Sequence, residues 1–371
     1  MGRPRLGTSH GRQAARLAPS LIVAWTVTAF VAARVVGIEP PQGETVATAI
    51  TRSAILGVVL GGVGAWLETG PLARAGRRFP LGAALAARTV AYALAVILGM
   101  LAIITVVLWV ERRESPAEVL RSPQFWSFVR ESNIGLMFVL LVGASFLINL
   151  NLQLRRVLGP ETLLALLVGR YRRPVREERA FVFLDLTDST AWAERLGPLA
   201  FTDFKNDFFA DVAEPVLATG GRIVQYVGDE VMVSWPMKRA ERDAAPLRFF
   251  FLVDARIEAR AERYRQRYGE VPRFKAGCHG GWVVTAEVGD LKRDIVHSGD
   301  VVNTAARIEG ECRPRGRRLI VSEALHARMP ALEETTTEPL GDAPLRGKAE
   351  PVALVAIEAA RLGTSAGPPA G

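Results

Sequence analysis

Two carboxylates, Asp185 and Asp229, stand where apolar runs stop. From Phe181 to Thr190 the chain reads FVFLDLTDST, so a buried strand delivers Asp185 and a short polar turn follows at once. Such a turn opens backbone N–H groups beside the carboxylate. From Arg222 to Val233 the sequence RIVQYVGDEVMV repeats the device, with an apolar run entering Gly228-Asp229-Glu230 and another leaving it. Strand, tight Gly-Asp turn, strand is a hairpin signal. Carboxylates carried on adjacent strand ends suit divalent metal ions that hold a polyphosphate.

The elements around them form an α+β domain over residues 180–358. A strand at 180–186 leads into helical sequence from Ser189 to Ala218, with a break at Gly197-Pro198 and a C-terminal glycine pair at Gly220-Gly221. The hairpin 222–235 comes next, and 240–268 is rich in Arg, Glu and Ala at helical period. Strands read at 273–279, 282–288 and 294–297, a helix from Val301 to Cys312, and later strands at 319–322 and 352–358. Residues 359–371 read as a disordered tail.

The N-terminal half differs in kind. The chain has 371 residues and a formal charge of +8, yet its mean hydropathy is +0.18. Apolar segments concentrated in 18–150 account for this, and they predict a membrane-embedded all-α anchor of about four transmembrane helices, near 18–36, 46–67, 89–110 and 134–150. Arginines flank these stretches (Arg12, Arg16, Arg74, Arg77, Arg78, Arg155, Arg156), as at anionic lipid surfaces, so lipid bilayer and not nucleic acid is the partner that the charge implies. The basic tail 1–17, the 68–88 loop and everything after Leu150 are placed on the cytoplasmic side of an inner or plasma membrane. Residues 151–179 connect the halves, either transmitting motion or lying passively on the surface. The two cysteines, Cys278 and Cys312, have no metal-ligand spacing and fit a reducing compartment.

Four pieces in order, FLDL around Asp185, the Gly228-Asp229 hairpin, GDVVNTAAR from Gly299 to Arg307, and LRGKAEPV from Leu345, resemble the class III nucleotidyl cyclase catalytic domain. The resemblance implies a ferredoxin-like βαββαβ core and conversion of ATP to 3′,5′-cyclic AMP and pyrophosphate. Attack by the ribose 3′-hydroxyl on the α-phosphate is then mostly a matter of positioning and charge stabilisation. It further implies two Mg²⁺ or Mn²⁺ ions per site on Asp185, Asp229 and the Leu186 backbone carbonyl. Backbone N–H groups of Thr187, Asp188, Ser189 and Thr190 would meet the β- and γ-phosphates. Asn303 would orient the ribose, Arg307 would stabilise charge at the α-phosphate, and Lys348 would contact the terminal phosphates. In this family one chain supplies the metal aspartates and its partner the Asn and Arg, which implies a homodimer with two equivalent sites.

The positions matching the family's base-recognition residues are Gln225 and Val296. An amide donates or accepts with equal ease, so Gln225 fits adenine or guanine, and Val296 cannot hydrogen-bond through its side chain. ATP is the preferred substrate on family grounds. GTP, a degenerate nucleotide-binding module, and a diguanylate cyclase suggested by Gly-Asp-Glu are the alternatives. Asp188 and Ser189 also suit helix capping, as does Asp300 before Val301. Glu230 is expected to face solvent or a cation, and His279 and His297 to be packed in apolar strands.

Overall fold

The computed structural model describes residues 134–291, 293–348 and 350–360, together with parts of 18–31, 47–62, 82–99 and 116–126. The chain divides into two compact units, Met1–Leu164 and Ala165–Gly371.

In the first unit, helical residues at 18–28 place Ala18 and Leu21 against Ile148 and Leu152 of the 25-residue helix Ile134–Leu158. The rings of Trp25 and Tyr92 stack with centroids 6.3 Å apart. Here the expectation of a four-span anchor is corrected: among the described residues no helix is long and apolar enough to cross a membrane. The multi-pass inner-membrane placement falls with it. Counting apolar side chains overstated the case, because a span needs about 20 consecutive, predominantly apolar residues in one helix. The helix Ile134–Leu158 carries Asn149, Asn151, Gln153, Arg155 and Arg156 in its second half, and Ser145, Asn149 and Gln153 are buried at four-residue spacing along one side. Of the stretches 18–36, 46–67 and 89–110, the remaining positions lie outside the described residues, as do the tails 1–17 and 361–371.

The second unit is built on one eight-stranded sheet in the order β2-β3-β1-β4-β6-β8-β7, with β5 paired to β4. The strands are β1 (Val175–Leu186), β2 (Arg222–Val227), β3 (Glu230–Pro236), β4 (Phe274–Val288), β5 (Asp294–Ser298), β6 (Leu319–Ser322), β7 (Thr335–Ala343) and β8 (Val352–Ala359). The run β2-β3-β1-β4 is antiparallel throughout and reproduces the expected βαββαβ core, while β4 and β6 are parallel. Apolar residues fill both faces of β1. Ala180, Val182, Leu184 and Leu186 turn to the large core, and Phe181 and Phe183 turn to a smaller one with Met232, Val283 and Ala305.

Helices α1 (Ser189–Thr219), α2 (Met237–Asp243), α3 (Ala245–Glu258) and α4 (Ala261–Tyr268) are followed along the chain by α5 (Asp300–Gly310) and α6 (Glu323–His326). Gly197 (φ 75°, ψ 165°) kinks α1 just before Pro198, where the sequence places a break. The single helical region expected at 240–268 is three helices, interrupted where Ala244 takes left-handed backbone. Buried Asp211 of α1 ties α3 and α4 down, accepting from Arg256 Nε of α3 at 3.3 Å and from Tyr264 Oη of α4 at 2.9 Å. Two strands expected at 273–279 and 282–288 are one, since Gly280 and Gly281 stay extended and pair with Ala180 and Arg179. Strand β7 was not anticipated. Its TTTEPLGDA sequence is mostly exposed edge with a bulge at Pro339/Gly341, so it lacks an apolar alternation to betray it.

Candidate active site

Strand pairing sets the centre of the site. The register opposes Asp185 to Glu230 on one neighbouring strand and to Lys275 on the other. Directly opposed residues present their side chains on one face, and this is the face that α5 covers. Lys275 Nζ donates to Asp185 Oδ2 at 2.7 Å and also to Glu309 Oε1 of α5. Burial raises the Asp185 carboxyl above its ordinary range; Lys275 opposes that rise, and the charge of Asp229 adds to it. Burial alone would lower Lys275, but its bonds to Asp185 and Glu309 leave it raised overall. Glu230 is pushed up to about 7 by burial, then by Glu309 and Asp185, with Lys275 opposing the rise, so it is half-buried beside the acidic cluster.

The hairpin turn bearing Asp229 needs left-handed backbone, and Gly228 provides it at φ 63°. Lys205 of α1 steadies the turn by donating to the Gly228 carbonyl at 3.3 Å. Beyond β1, the Thr187 N–H is already committed to the Arg273 carbonyl at 2.8 Å, which leaves Asp188, Ser189 and Thr190 at the open end of α1. Asp188 sits at the cap position in left-handed backbone (φ 56°) with no side-chain cap bond, so the capping expected of it is not made. A cleft of about 780 Å³ lies here, walled by Asp185 and the 186–190 turn on one side and by Arg273, Lys275 and Arg313 on another.

The remaining candidates form a second group. Helix α5 starts at Asp300, whose carboxylate takes Lys348 and, at 3.4 Å, the Thr304 hydroxyl. Lys348 holds Asp300 below the ordinary carboxylate range. Asn303 is exposed on the same helix, and the Arg307 guanidinium lies against Gly347, its Nη1 buried without a hydrogen-bond partner. Gln225 stands on edge strand β2 and Val296, 40% exposed, on β5; strands β3, β1 and β4 separate them in the sheet. One chain therefore groups Asp185 with Asp229 and Arg307 with Lys348, and leaves the two base-contact candidates apart.

Lys275 and Glu309 escaped the sequence reading. Lys275 sits in an apolar strand and Glu309 in a helix rich in charge, and only the β1–β4 register brings them to Asp185. The histidines are packed as expected. His297 bonds Thr285 Oγ1 through Nδ1 at 2.7 Å and meets the Phe181 ring edge-on, and His279 Nδ1 bonds Ser322 Oγ at 2.7 Å. Burial lowers His297 to about 3 and His279 to about 4, from 6.5. Both are depressed, so the stability they lend is full above pH 6.5 and is lost as pH falls toward 4. We expect urea stability to fall across that window, and His297→Gln to shallow the slope by up to about 1.4 kcal/mol per pH unit. An unchanged slope would refute the buried neutral assignment.

Two carboxylates and a strand-end carbonyl form an oxygen donor set that suits Mg²⁺ or Mn²⁺, which need only one or two carboxylates when substrate phosphates complete the shell. Among the described residues no three His, Cys, Asp or Glu side chains converge as a ready-made cage, since Lys275 lies between Asp185 and Glu309. The residues fit a metal shared with a bound polyphosphate.

Residues 174–357 match the family described as the adenylate and guanylate cyclase catalytic domain. Adenylate cyclase 2 of Rhizobium meliloti is 44% identical over 221 residues, 59% of this chain and 61% of that protein. Adenylate cyclase 1 of the same organism is 30% identical over 203 residues, 52% of this chain and 30% of that protein. The chain thus spans less than two thirds of either relative. A solved structure, the adenylyl cyclase CyaB from P. aeruginosa, covers 51% of this chain and 98% of its own at 20% identity, with a TM-score of 0.45.

Proposed function

We propose that residues 174–357, which match the adenylate and guanylate cyclase catalytic domain, form a class III nucleotidyl cyclase domain, and that the chain converts ATP to 3′,5′-cyclic AMP and pyrophosphate in a homodimer. One observation carries the reading most directly. Asp185 stands at a cleft that also holds the open end of α1, and Asp229 lies near enough for its charge to raise the Asp185 carboxyl. Asp185, Asp229 and the Leu186 carbonyl would hold two Mg²⁺ or Mn²⁺ ions, which when bound lower the pKa of the 3′-hydroxyl and neutralise phosphate charge. The N–H groups of Asp188, Ser189 and Thr190 face the β- and γ-phosphates at the positive end of a helix. Arg307 stabilises charge developing at the α-phosphate, Asn303 orients the ribose, and Lys348 holds the terminal phosphates.

The division of candidates into two groups supports assembly of each site from two chains. So does the β4–β5 ribbon, where Trp282, Val284, Val288 and Val296 lie exposed on one face and await cover. ATP is chosen because the two relatives described above are named adenylate cyclases; Gln225 and Val296 do not favour either base. Purified protein incubated with Mn²⁺ and ATP or GTP is expected to yield cyclic AMP and pyrophosphate from ATP. Cyclic GMP from GTP alone would favour the guanylate alternative, and no cyclic product from either would remove the enzyme reading.

A further inference from the structure

Asp185, Glu230 and Glu309 act on one another across one face of the sheet with the charge of Asp229 beside them, and Lys275 is bonded to both Asp185 and Glu309. Its partners belong to different machinery. Asp185 is a metal aspartate at the end of β1, whereas Glu309 is two residues beyond Arg307 on α5. The contact is possible because Gly277 lets α5 lie directly on β4: a Cβ there would come within 2.1 Å of Glu309 N. Side chains of Lys275 and Glu309 are only 17% and 10% exposed, so water screens the pair little.

We propose that Lys275 is the counter-ion of Asp185 whenever no metal is bound there, and that through Glu309 it ties metal loading to the position of the helix bearing Asn303 and Arg307. The inference rests on the cyclase reading above. A divalent ion approaching Asp185 meets an ammonium at 2.7 Å and displaces it. Lys275 then bonds Glu309 alone, and α5 loses this polar tie to β1 while keeping its apolar contact. Because Asn303 and Arg307 serve the site completed by the partner, metal at one site alters the other half-site of the dimer. Lys275 is a positioning residue in this scheme, acting on metal entry and on α5.

Titrating the full chain with Mn²⁺, without nucleotide, tests the tie independently of turnover. Lys275→Gln is expected to bind Mn²⁺ at least about tenfold tighter, because an opposing charge has been removed from the ligand carboxylates. Lys275→Arg keeps the charge and is expected to stay near the native affinity. Hydrogen exchange of the 304–309 amides is expected to quicken on Mn²⁺ addition in the native chain and not in Lys275→Gln. Lys275→Met, also uncharged, serves if the Gln variant fails to fold. The tie is overturned if the uncharged variants bind no tighter, if Lys275→Arg binds as tightly as they do, or if α5 exchange ignores Mn²⁺. Asp185→Asn separates the two failures: Mn²⁺ binding that survives it overturns the metal assignment itself, and binding lost with no effect at Lys275 overturns the tie alone.

Discussion

Chains carrying Asp185→Ala, mixed with chains carrying Arg307→Ala, are expected to recover cyclase activity that neither has alone. In a homodimer of the first, both sites lack a metal aspartate; in a homodimer of the second, both lack the guanidinium at the α-phosphate. Loss of one donor to transition-state charge costs on the order of 10²–10³ in rate, and loss of a metal aspartate is expected to cost at least as much. A mixed dimer collects both lesions in one site and leaves the other intact. With random exchange at equal amounts, half of the dimers are mixed and each has one of two sites working, so about a quarter of native activity should return. Chain exchange is checked by differential tagging. Mixed dimers that form and stay inactive would mean that each chain completes its own site, and the two-group arrangement would need another explanation.

That experiment concerns residues legible in the sequence. Asp185 and Asp229 announce themselves because an apolar run ending in a carboxylate is a strand with a purpose at its end, and Gly228 marks the turn that holds the second. Asn303 and Arg307, one helical turn apart, are equally plain. What could not be read depends on pairing between distant segments. Lys275 lies 90 residues from Asp185 and meets it only through the β1–β4 register. The exposed edge β7 offers no apolar period, and Gly280-Gly281 reads as a turn although pairing with β1 keeps it extended. The N-terminal half failed in the opposite direction. Its apolar composition was plain, but composition alone does not decide whether a run becomes one unbroken helix of membrane length, and among the described residues none does.

Gly277→Ala should damage the enzyme out of proportion to one methyl group. A Cβ at this position would stand 2.1 Å from Glu309 N, 2.5 Å from Glu309 Cα and 2.7 Å from the Ala305 carbonyl. All three are backbone atoms of α5, so no side chain can swing aside and the helix itself must lift. The Ala305–Phe181–Phe183–Val283 cluster beneath it would open, and overpacking of this kind costs about 1–3 kcal/mol. The unit should survive this, because the large core behind the sheet is untouched. Asn303 and Arg307 would not keep their places, and a displacement near 1 Å costs on the order of 10² in rate. The lesion therefore belongs with Arg307 and not with Asp185. Mixed with Asp185→Ala chains, Gly277→Ala chains should restore activity; mixed with Arg307→Ala chains, they should not. Full activity in Gly277→Ala alone would show that α5 does not rest on β4 as closely as this backbone requires, and the positioning role given to that contact would fail.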